Sequence, residues 1–257
     1  MPTTMYRLDT YGMRSAQTAA TISVLDRYLA ILDAVKESER STSITELATR
    51  TNMPKSTVSR LAAGLVDQRF LVRNADGTVG LGLRVFELGA RAGLPRRLMT
   101  AAAPVMRELW EATGDRVGIW VHHGAEMVSL AAVAGRLPML PTRAGMRSPA
   151  LTTASGKAFL AFCADRTVVD RLSAELVPDA ASGFRHELDL VRASNVATDA
   201  GVAYPGIVAV ASPVFSADRT VIGAVSLAGP ADSMNAQHAA PLVRAAGLSM
   251  SRRLSAA

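Results

Sequence analysis

Apolar residues recur at helical spacing from Val24, where Val24, Leu25, Tyr28, Leu29, Ile31, Leu32 and Val35 fall on one face. The pattern predicts a helix that ends in the polar stretch 36–40. Ser43 and Glu46 then form a capping-box pattern, predicting a short helix that buries Ile44, Leu47 and Ala48. Thr51-Asn52-Met53 breaks it. Pro54 suits the first turn of a new helix, where its missing N–H would be unpaired anyway. Val58, Leu61, Ala62 and Leu65 give that helix an inner stripe, to about Gln68. Two strand-like runs, Phe70–Arg73 and Thr78–Leu81, flank Asn74-Ala75-Asp76-Gly77 and predict a hairpin. Leu83 to Ala92 reads as a further helix, and Gly93-Leu94-Pro95-Arg96-Arg97 as its interruption and the interdomain linker.

Beyond residue 100 the pattern alternates. A helix over 100–113 precedes strands over 116–122 and 126–133, and helices follow near 153–164, 167–175 and 185–195. Ile207–Phe215 and Val221–Ala228 predict two apolar strands, and a last helix spans Ala236–Leu254. The mixture implies an antiparallel sheet with helices packed on it, an α+β arrangement. The expected division is a mobile arm over 1–22, a small domain over 23–82, a linker helix over 83–99 and a larger domain over 100–257.

With 257 residues, 49% apolar and 19% charged, the chain can bury two modest cores. No run approaches the roughly 18 apolar residues of a membrane span. The first residues, Met-Pro-Thr-Thr-Met-Tyr-Arg, lack a secretory signal's apolar core. The single cysteine, Cys163, excludes an internal disulfide framework and a Cys-rich zinc site. A cytoplasmic protein without a membrane partner is expected. The net charge of +6 is uneven: residues 1–99 hold 14 Lys/Arg against 9 Asp/Glu, and residues 100–257 hold 14 against 13. A localised basic region attracts polyanions, although a solvated Arg-rich helical segment carries the same charge.

Helix, capped helix, tight turn, helix and hairpin within about 60 residues form the winged helix-turn-helix plan. The outer face of the helix from Pro54 carries Lys55, Ser56, Thr57, Ser59 and Arg60, all hydrogen-bond donors. Early recognition-helix positions meet base edges, and a helix N-terminus favours phosphate. Arg73 and Thr78 of the hairpin are placed to reach the DNA backbone. A helical hairpin used for protein contacts would show the same solvated face.

Several segments resemble the IclR family of regulators: Leu47-Ala48, Met53 to Leu61, the wing, and Leu81-Gly82-Leu83-Arg84. Further matches are Thr142-Arg143-Ala144-Gly145, Thr153-Ala154-Ser155-Gly156-Lys157-Ala158, Pro205-Gly206-Ile207, Ala211-Ser212-Pro213-Val214 and Ala224 to Pro230. The resemblance runs in order from about residue 23 to 254. It implies a GAF-like effector-binding domain, dimers that often pair into tetramers, a double-stranded DNA operator, and regulation of catabolic operons by small carboxylates. It also implies effector contacts from Ala154, Ser155, Asp199, Ala209, Ser226 and Ala228. Ala209 stands where members often carry cysteine or another polar residue, Ala228 replaces a serine, and Leu151 replaces a histidine. Alanine cannot anchor a carboxylate oxygen, so a larger, less polar and aromatic-type effector is expected.

Enzyme motifs fail at defining positions. Leu151 occupies the first glycine of a phosphate loop ahead of Gly156-Lys157, Val85 the third glycine of a dinucleotide fingerprint, and Leu190 the second histidine of a zinc-protease helix. There is no Gly-x-Ser-x-Gly elbow. His122 and His123, adjacent on a strand, point to opposite faces and make poor joint metal ligands. Cys163 reads as a packed small hydrophobe. No cofactor and no metal are expected. A second domain that only oligomerises, activation instead of repression, and a ligand-binding enzyme with a basic accessory domain remain as alternatives.

Overall fold

The computed structural model describes residues 23–38, 41–136 and 143–256; the expected arm over 1–22 and Thr142 lie outside them. The chain divides into two compact units, one ending at Arg91 and the other beginning at Ala92.

In the first unit, α1 (Val24–Lys36), α2 (Ile44–Thr51) and α3 (Lys55–Asp67) pack around Ile31, Leu47 and Val58, all fully buried. β1 (Leu71–Arg73) and β2 (Val79–Leu81) form the antiparallel hairpin. Thr42 adds a bridge to Val79, tying the hairpin to the start of α2. The apolar stripe of α1 is buried only toward its end. Ile31, Ala34 and Val35 enter the core, while Val24, Leu25 and Leu29 stay exposed. The capping box expected at Ser43 is half formed: Ser43 accepts from Glu46 N–H, but the Glu46 carboxylate takes Thr42 and Arg50 instead. The complete box is at Ser23 and Asp26. Pro54 is the N-cap of α3, one residue earlier than expected, and brings no side-chain cap.

The helix expected over Leu83–Ala92 is α4 (Leu83–Gly89), and the break after it comes at 90–92, ahead of the expected 93–97, where α5 (Gly93–Thr113) has already begun. Pro95 falls in the first turn of α5, where a missing N–H breaks no bond, so the segment expected as a linker opens the next helix.

The second unit carries a six-stranded sheet, every pair antiparallel, in the order β5-β4-β3-β8-β7-β6. Its strands are β3 (Arg116–His123), β4 (Glu126–Val133), β5 (Arg147–Pro149), β6 (Ala197–Ala200), β7 (Ile207–Phe215) and β8 (Val221–Pro230). The two edge strands, β5 and β6, were not expected; at three and four residues they are too short to show alternation. One face packs on α5 and α9 (Ala236–Ser255) through Val117, Ile119, Val225 and Leu227. The other packs on α6 (Ala154–Leu160), α7 (Arg166–Ser173) and α8 (Pro178–Ser194) through Trp120, Ala211 and Ala224. Successive side chains alternate between these two cores, which explains why β7 and β8 read as unbroken apolar runs. The helix expected over 185–195 begins at Pro178, at its first turn.

Candidate functional site

Two features stand out, one in each unit. In the first, Pro54 offers no side chain to the opening amides of α3, so that helix end keeps donors and partial positive charge facing outward. Lys55, Ser56, Ser59 and Arg60 are exposed around it, and Thr57 is half-buried. Arg73 is exposed at the end of β1 and donates to the Gly77 carbonyl at 3.4 Å. Thr78 is half-buried at the start of the hairpin's second arm. Its hydroxyl donates to Asp76 at 2.6 Å and accepts from the Asn74 amide at 2.9 Å, so it holds the turn together.

In the second unit a partly open cavity of about 120 Å³ lies on the sheet face that packs on α6. All six positions singled out by resemblance, Ala154, Ser155, Asp199, Ala209, Ser226 and Ala228, line it. Ala209 and Ala228 are direct cross-strand neighbours, so the central floor is two methyl groups. The rest of the wall is more polar than the two alanines led one to expect. Arg116, Ser148, Thr153 and Tyr204 also line it, together with Trp120.

Arg116 is 3% exposed, and its guanidinium lies over the Trp120 ring, 5.5 Å from the centroid. Burial holds its basicity below the ordinary arginine value, with nearby Tyr204 acting in the opposite sense. The Trp120 indole N–H donates to the Ser226 hydroxyl at 2.9 Å, fixing the ring as a wall. Asp199 is also buried, and burial raises its carboxyl above the usual range. The amides of Val202 and Ala203, at 2.8 and 3.3 Å, and the nearby Lys157 partly oppose that rise. These amides belong to the loop after β6, which carries Tyr204. The Tyr204 hydroxyl meets that of Ser148 at 2.9 Å, so a hydrogen bond links the two edges of the sheet beside the cavity.

The Gly156-Lys157 pair has a packing role. A Cβ on Gly156 would stand 2.0 Å from the Ala150 carbonyl oxygen, and Lys157 pairs with Glu187 of α8 at 2.5 Å. His122 stacks on Phe159 at 4.7 Å while His123 is exposed, and no group of three metal-binding side chains occurs among the described residues. Cys163 is partly buried beside the Trp120 core.

Arg116, Trp120, Ser148 and Tyr204 were missed. Arg116, Gly118 and Trp120 share one face at period two, and a lone cation opening an apolar strand was the available signal. Ser148 and Tyr204 sit on a three-residue strand and a loop, which carry no periodicity.

The C-terminal region of the bacterial transcriptional regulator IclR matches residues 95–253, and the IclR helix-turn-helix domain matches residues 24–75. This chain belongs to the IclR family. Its relatives include the HTH-type transcriptional regulator KipR of Bacillus subtilis, 27% identical over 74% of this chain and 79% of that protein. The transcriptional repressor AllR of Klebsiella pneumoniae is 26% identical over 86% and 84%. Among solved structures, HmgR of Pseudomonas aeruginosa matches with TM-score 0.74 and 26% identity over 90% of this chain and 98% of that one. An IclR homolog of Microbacterium hydrocarbonoxydans, complexed with 4-hydroxybenzoate, shares the fold with TM-score 0.83 and 22% identity over 91% and 100%. The IclR-family chain is therefore a DNA-binding transcription regulator with an N-terminal helix-turn-helix and a C-terminal α/β domain, and the relatives are regulators and not enzymes. No described helix is long and apolar enough to cross a membrane.

Proposed function

We propose that this IclR-family chain is a cytoplasmic, ligand-responsive repressor of a catabolic operon, sensing a single-ring metabolite in the second unit. The observation that carries the reading is the partly open cavity on the sheet face that packs on α6. Its volume of about 120 Å³ is of the same order as the roughly 150 Å³ of an apolar protein cavity that binds benzene. The 4-hydroxybenzoate held by the Microbacterium homolog supports a ligand of this class.

In this reading residues 23–82 bind DNA, 83–99 connect, and 100–257 hold the effector. Lys55, Ser56, Thr57, Ser59 and Arg60 meet the major groove, and Arg73 meets the backbone. Homodimers, pairing further into tetramers, place two α3 helices on a pseudo-palindromic operator. Self-association is supported by α4, which buries none of its residues and exposes Leu83, Phe86 and Leu88. Effector binding changes the spacing of the two α3 helices.

Gel retardation of the DNA flanking the protein's own gene, beside thermal-shift screening with aromatic acids, tests this. Retardation at modest salt and a raised melting temperature are expected. No retardation, or stabilisation only by two- and three-carbon acids, would count against it.

A further inference from the structure

The register places four cavity residues in one row across four strands. Arg116 of β3 faces Ala228 of β8, Ala228 faces Ala209 of β7, and Ala209 faces Asp199 of β6. All four side chains line the cavity, so the row forms its floor: a cation at one end, two methyl groups between, a carboxyl at the other. Three strand spacings separate the end backbones, about 14 Å in all. The long Arg116 side chain and the shorter Asp199 side chain extend inward from those ends. What is left between them lies over the alanines, beside the indole of Trp120.

We propose that the cavity selects polarity as well as size. It takes an aromatic acid with its carboxylate at Arg116 and a hydrogen-bond donor on the far side of the ring at Asp199. The inference rests on the ring-sized reading above and adds a direction to it. Arg116 stays charged even when buried, and its guanidinium carries five N–H donors in a planar fork, more than a single neighbour occupies, in a geometry suited to a carboxylate. Asp199 offers acceptor oxygens, two of whose bonds already come from the loop amides of Val202 and Ala203. A second carboxylate there would meet a like charge in a water-poor site. The small Ala209 and Ala228 side chains leave the ring its room and contribute no polar contact. This assigns the anion to a residue outside the six positions the resemblance nominated. It also revises the expectation of a weakly polar ligand: the middle of the cavity is apolar and its ends are not.

Calorimetric titration of the full chain with four probes tests this: 4-hydroxybenzoate, benzoate, phenol and terephthalate. The wild type is expected to bind 4-hydroxybenzoate at least about tenfold more tightly than each of the others, the scale of one charge-assisted hydrogen bond. Arg116→Met is expected to erase the preference for 4-hydroxybenzoate over phenol while still binding phenol, which also shows that the variant folds. Arg116→Lys is expected to keep the preference. Asp199→Asn is expected to narrow the gap between 4-hydroxybenzoate and terephthalate. If all four probes bind the wild type within about threefold, the ring-sized reading stands and the polarity is overturned. Equal losses for phenol and 4-hydroxybenzoate in Arg116→Met also overturn it. If none of the four binds, the ring-sized reading fails and the polarity falls with it.

Discussion

Replacing Gly118 with alanine tests the cavity wall at its tightest point. Gly118 lies between Arg116 and Trp120 on the same face of β3, opposite Ser226. A Cβ added there would stand 2.7 Å from the Trp120 indole nitrogen and 3.3 Å from the Ser226 hydroxyl. These two atoms share the buried hydrogen bond that fixes the indole. The new methyl must push the ring aside, losing that bond and leaving polar atoms unsatisfied, for about 1–3 kcal/mol. Overpacking adds about 1–2 kcal/mol. A total of about 2–5 kcal/mol corresponds to a melting temperature lower by roughly 4–20 °C in a unit of this size. Thermal unfolding followed by tryptophan fluorescence is a suitable assay, because Trp120 is buried and Trp110 is substantially exposed. Adding Trp120→Phe removes the colliding N–H, so the double variant should be less destabilised than the sum of the single ones. A loss below about 0.5 kcal/mol for Gly118→Ala would refute the packing argument.

Leu47→Ala, at a fully buried position of α2, should destabilise the first unit by about 2–5 kcal/mol and abolish DNA binding; calorimetry should find ligand binding in the second unit unchanged. Arg60→Ala should weaken binding to the operator more than to random DNA in parallel anisotropy titrations; equal losses would make Arg60 a phosphate contact only. Asp199 gives a pH signature. Its folded carboxyl is raised by burial, so the folded chain keeps a proton that the unfolded chain has lost above about pH 3.8. Its contribution to stability therefore falls as pH rises through that window, and a penalty persists above it. Asp199→Asn should raise the melting temperature at neutral pH, with the gain vanishing near pH 3.8. A gain independent of pH would contradict the burial argument.

The helices and long strands were legible because burial there is periodic. Val58, Leu61, Ala62 and Leu65 gave α3 its inner face, and all four are buried. Short elements were not legible: β5 and β6 owe their existence to pairing with β4 and β7 and carry no pattern of their own. Pro95 misled because proline breaks a helix interior yet suits its first turn, and only the position of Gly93 decides between them. The cavity was half legible. Its alanine floor followed from the resemblance, but Arg116 reads as an ordinary strand residue until the register sets it in line with Asp199. The Tyr204–Ser148 bond joins strand edges far apart in sequence, and no local pattern announces it.

The central claim is that a ring-sized ligand in the second unit alters DNA binding by the first. Fluorescence anisotropy with the DNA flanking the protein's own gene, titrated with and without saturating 4-hydroxybenzoate at fixed salt, tests it most directly. The account expects the ligand to weaken DNA affinity by at least about fivefold, with DNA weakening ligand affinity by the same factor. Calorimetrically verified ligand binding that leaves DNA affinity unchanged would contradict it.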